Sequence, residues 1–89
     1  METPDTATFD EVVAAVRGER THQEQKWGHG GQQSILGFIA LMEVYLNEAK
    51  SLQAHNEHET VRVPTLDTMR KVTALGVACL EAHGVTQRA

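Results

Sequence analysis

The chain has 89 residues, of which 40% are hydrophobic and 22% charged, and its twelve acids against eight Lys and Arg leave a formal net charge of -4. That length holds one domain, and a domain so small withdraws only about 60–65% of its unfolded surface from water, so a thin core and a homodimer or larger homo-oligomer are expected. The composition excludes a disordered tail, a coiled coil and a collagen-like chain, and the acidic balance argues against direct nucleic-acid binding.

Residues 1–8 read as a flexible lead-in, since Pro4 stands among Thr and Asp with nothing to bury. Thr8 followed by Glu11 is a capping-box pattern, and Phe9, Val12, Val13 and Val16 continue at helical spacing, which predicts a first helix from Phe9 to about Gln25. Gly28, Gly30 and Gly31 break it. Ser34 then caps a second helix, in which Ile35, Phe38, Ile39, Met42, Leu46 and Ala49 follow a 3, 4, 3, 4, 3 rhythm to about Leu52. Leu36, Leu41, Val44 and Tyr45 widen its apolar face, so this helix is expected to be the centre of the fold and to supply an oligomer interface.

Gln53 to Pro64 reads as a polar loop with a short extended run at Val61 to Val63. Within it, His55 and His58 form His-x-x-His beside Glu57 and Glu59, and two ligands in a polar loop fit solvated histidines better than a zinc site. Thr65 is the expected cap of a third helix, Leu66 to His83, with Gly84 at its stop. Gly18, Gly37 and Gly76 each cost a helix about 1 kcal/mol relative to Ala, and close helix approach is the expected reason. Cys79 among Gly76, Val77, Ala78 and Leu80 reads as a reduced, buried thiol. With no signal-peptide pattern and no long apolar run, a soluble cytoplasmic protein is expected. The whole is an all-α domain over residues 9–85, followed by a tail at 86–89.

The stretch Glu19-Arg20-Thr21-His22-Gln23-Glu24-Gln25-Lys26-Trp27-Gly28 resembles the Glu-Arg-x-x-Gln-x-x-Lys-Trp-Gly opening of small phage-encoded MazG-like proteins. Glu43-Val44-Tyr45-Leu46-Asn47-Glu48-Ala49-Lys50 is similar to the middle of that group, and Val77-Ala78-Cys79-Leu80-Glu81-Ala82-His83-Gly84-Val85 to its end. The resemblance implies an all-α helical hairpin with an N-terminal helix, assembled as an oligomeric bundle. It also implies an NTP pyrophosphohydrolase that releases monophosphate and pyrophosphate, with Mg²⁺ held by carboxylates of two adjacent helices.

Mg²⁺ takes six hard oxygen ligands, so the protein has to supply carboxylates beside phosphate and water. The family does so with Glu-Glu-x-x-Glu on one helix and Glu-x-x-Asp on the next. Here that pattern is eroded. With Glu48 as the last acid of the first motif, Val44 and Tyr45 fill the preceding positions, and Glu43 lies about 140° round the helix from Glu48. On the third helix the preferred register puts Thr68 and Lys71 in the acids' places; shifted by one, it puts Asp67 and Arg70 there. A cation in either register turns attraction to the metal into repulsion of about 4 kcal/mol or more at 4 Å and an effective dielectric near 20.

The candidate residues follow. Glu48 and Glu43 are the acids available for catalysis, and Glu48 and Asp67 those available to Mg²⁺. Glu19, Arg20 and Gln23 share a helix face and could edge a nucleotide pocket or be plain solvated charges. Lys26 could meet a phosphate. Trp27 could stack on a base, although a plug at the end of the small core is the preferred reading. Tyr45 could donate its hydroxyl to a ligand, with packing preferred. Lys71 is expected to pair with Glu48 or to take a phosphate oxygen. Two function classes result. One is a nucleotide-recognising pyrophosphohydrolase; the other is a silent relative acting as a nucleotide binder or decoy, or as a protein-binding inhibitor of a host defence system.

Overall fold

A computed structural model describes residues 6–28, 33–55 and 61–88. The readings placed on Met1 to Asp5, on Gly30 and Gly31, on the His55 and His58 side chains with Glu57 and Glu59, and on Ala89 lie outside what is described. Among the described residues three helices form: α1 (Phe9–Trp27), α2 (Ile35–His55) and α3 (Arg62–His83). None of them is long and apolar enough to cross a membrane.

The helix ends follow the sequence closely. Thr8 Oγ1 accepts from the Glu11 amide at 3.2 Å while the Glu11 carboxylate accepts from the Thr8 amide at 3.0 Å, so the capping box closes in both directions. Ser34 Oγ accepts from the Gly37 amide at 2.9 Å. Gly28 and Gly84 end α1 and α3 at φ of 75° and 101°, in the left-handed region that a side chain would strain. Their amides donate to Glu24 and Leu80 carbonyls.

The start of α3 departs from expectation. Val61 to Val63 is not extended and Thr65 is not the cap, because Arg62 already begins the helix and Pro64 occupies its first turn, where no intrahelical N–H is needed. The Thr65 hydroxyl instead donates back to the Val61 carbonyl, at 2.6 Å.

α2 and α3 pack antiparallel. Gln53 donates to Thr65 at 3.0 Å at one end, and at the other the His83 ring meets the Gln33 carbonyl at 2.6 Å and the edge of Phe38. Between them Phe38, Leu75 and Ala78 are buried, with Leu41, Met42, Tyr45, Cys79 and Ala82 packed around them. Cys79 is therefore half-buried rather than fully enclosed.

The central helix is α3, not α2. It packs against both other helices and carries Thr68, Val72, Ala74, Leu75 and Ala78 into the interior. Its small residues let neighbours approach from two sides, whereas on α2 Leu41 and Tyr45 of the widened face pack on the core and Leu36 and Val44 stay exposed with Ile35, Ile39 and Leu46 of the stripe. Close approach does not explain the helical glycines. A methyl at Gly18 would meet nothing, one at Gly76 would make only ordinary contact with Met42, and one at Gly37 would meet the local Gln33 side chain.

Candidate functional site at the helix seams

Glu19, Arg20 and Gln23 lie within little more than one helical turn on α1, and the side they share is the one turned to α3. Gln23 is 3% exposed; its amide donates to the Lys71 carbonyl at 3.3 Å and its oxygen accepts from Arg20 at 3.2 Å. Arg20 also reaches Glu81 on α3 at 2.7 Å and Glu24 at 3.2 Å. Glu19, buried, accepts from Arg70 Nε at 2.8 Å, and Arg70 Nη1 donates to Asp67 at 2.7 Å. The hydrogen bond to Glu19 is the chief cause holding the Arg70 guanidinium above its ordinary pKa, with burial opposing it and Asp67 adding to it.

This seam corrects the reading of the α1 trio as plain solvated charges, because each hydrogen-bonds across the helix contact; Arg20, with Glu81, also lines a cleft beside α1. No buried side-chain polar atom among the described residues lacks a partner. Sequence reasoning passed over Arg70 and Glu81 as members of the seam. Their signal was present: eleven residues, close to three turns, put them on one face of α3 with signs opposite to Glu19 and Arg20.

Across the other seam, Lys71 Nζ stands over the Tyr45 ring, 5.8 Å from its centroid. Tyr45 packs on the core, as preferred. Thr68 is buried and its hydroxyl donates to the Pro64 carbonyl at 3.0 Å. Lys71 does not pair with Glu48: its cation meets an aromatic face, and among the described residues it enters no ion pair. At the end of α1, Lys26 Nζ sits 5.3 Å from the centroid of its neighbour Trp27. Trp27 is 48% exposed, so it does not plug the core; the helix runs two residues past Gln25 and carries the indole beyond the packed region.

The family's Mg²⁺ site does not fit these residues. Glu43 and Glu48 are both exposed on α2, and Asp67 is bound to Arg70 in the α1–α3 seam. Among the described residues no three His, Cys, Asp or Glu side chains gather as a metal cage. No family model, curated protein or solved structure matches the chain.

Proposed function

We propose that the chain is a MazG-like protein that recognises a nucleotide without hydrolysing it. The observation that carries this reading is the contact of Lys71 with Tyr45. Those residues stand at two positions where the family's motifs place acids, and their meeting across α2 and α3 supports the register that aligns Thr68 and Lys71 with the second motif. A half-buried ammonium there repels a divalent cation and attracts a phosphate oxygen, supplying the metal's charge without its Lewis acidity. A second reading, a phage protein that binds a host protein such as a defence component, is favoured by the apolar residues left exposed along α2.

The test is a panel of common NTPs and dNTPs with Mg²⁺ or Mn²⁺, resolved by chromatography for monophosphate and pyrophosphate, beside thermal shifts with the same nucleotides. The expected result is no turnover and a stabilising shift that Lys71→Gln removes. Turnover that Glu48→Gln abolishes would overturn the silent site, and no shift at saturating nucleotide would leave the protein-binding reading in its place. Tyr45→Glu with Lys71→Glu is expected to create Mg²⁺ affinity by calorimetry; no gain refutes the register.

A further inference from the structure

The N-terminal half of α1 is poorly covered. Phe9 is 80% exposed although it opens an apolar stripe through Val12, Val13 and Val16. Clefts of about 420 and 400 Å³ lie on the two sides of this half-helix. The first is walled by Phe9, Val13 and Val16 with Thr73 and Val77 of α3, and has Arg17 at its rim.

We propose that the first cleft is filled by α1 of a second copy, running antiparallel about a twofold axis near Val13, with Phe9 of each copy seated in the cleft of the other. The reading is independent of that of Tyr45 and Lys71. A knob and a hole on the same surface make it self-complementary, as a twofold contact demands. Charge selects the direction. Asp10 and Arg17, seven residues apart, lie within about 20° of each other round the helix. Neither enters an ion pair within the chain, among the described residues. In an antiparallel twofold pair the same flanks of the two helices meet, so Asp10 of each copy falls beside Arg17 of the other. A parallel pair brings opposite flanks together, so Asp10 and Arg17 of one copy would face neither residue of the other. The second cleft lacks this match, because its Glu11 closes the helix cap and its Asp67 and Arg70 are joined to each other. The exposed α2 stripe of Ile35, Ile39 and Leu46 borders neither cleft.

Sedimentation and light scattering of the full chain over a concentration series test the proposal. The wild type is expected to be dimeric, and Phe9→Ser, which removes a side chain the monomer hardly uses, to give a monomer with unchanged helical circular dichroism. Asp10→Arg and Arg17→Asp should each weaken the dimer by about tenfold, and the two together should restore it to within a few-fold. A wild type that is monomeric throughout overturns the proposal. So do a double variant no tighter than the singles, and a dimer that survives Phe9→Ser but is lost in Leu46→Glu, which would place the interface on α2.

Discussion

Removing Arg70 should cost more than neutralising the Glu19 it binds. The two meet at 2.8 Å, with the Glu19 side chain 8% exposed and that of Arg70 37% exposed. Coulomb's law at an effective dielectric near 20 gives about 6 kcal/mol at that distance, an upper bound. Desolvation of Glu19 and solvent screening at the more exposed Arg70 reduce it strongly. Arg70→Ala leaves a buried carboxylate facing an empty place, so its expected cost is about 2 kcal/mol, a fall in Tm of roughly 8–16 °C for a domain of this size. Glu19→Gln keeps an oxygen for Arg70 to donate to and leaves Arg70 its bond with Asp67, so about 1 kcal/mol is expected. Replacing both by Leu should be nearly neutral, since an apolar pair needs no partner. Urea unfolding followed by helical circular dichroism, at one protein concentration, measures all three variants, and the combined Arg70→Ala, Glu19→Gln variant completes the double-mutant cycle. Arg70→Ala no worse than Glu19→Gln, or a coupling below about 0.5 kcal/mol, would refute the argument that α1 is held to α3 by this pair.

Two further predictions concern the core and the helix end. Leu75, 1% exposed, is the largest fully buried side chain among the described residues, and Leu75→Ala should destabilise the fold by about 3 kcal/mol in the same urea assay. The Thr8 amide, and after it the Thr8 hydroxyl, hold the Glu11 carboxyl below its ordinary pKa of 4.5. Its folded pKa is depressed, so the stability it lends is present above about pH 4.5 and is lost as pH falls through the lowered value. Glu11→Gln keeps the capping geometry but cannot ionise. Helicity of the wild type relative to Glu11→Gln should therefore be constant above that pH and decline below it; a difference that grows on acidification would contradict the cap assignment.

Much of the local structure was legible because it depends on neighbours in sequence. Thr8 with Glu11, Ser34 before Ile35, and Gly28 and Gly84 after their helices satisfy orphan backbone groups within a few residues, and each was readable. The start of α3 was misread because Pro64 carries two signals, a break after an extended run and a tolerated place in a first turn, and the helix took the second. The candidate nucleotide edge at Glu19, Arg20 and Gln23 was correctly grouped by helical spacing, yet its purpose was not readable, since spacing shows which side chains share a face and not what that face meets.

The sequence by itself determined three helices, the caps that open α1 and α2 and the glycine stops at Gly28 and Gly84, all of which rest on residue type and spacing along the chain. Tertiary structure decided that α3 is the central helix, that Glu19 and Arg20 find Arg70 and Glu81, and that Lys71 meets Tyr45 rather than Glu48. It also left Trp27 and the α1 stripe at Phe9 uncovered. The physical reason is that burial depends on which face another helix covers. A small-residue helix accepts two neighbours, a broad apolar one fills only its near side, and neither choice is written in the periodicity of a single helix.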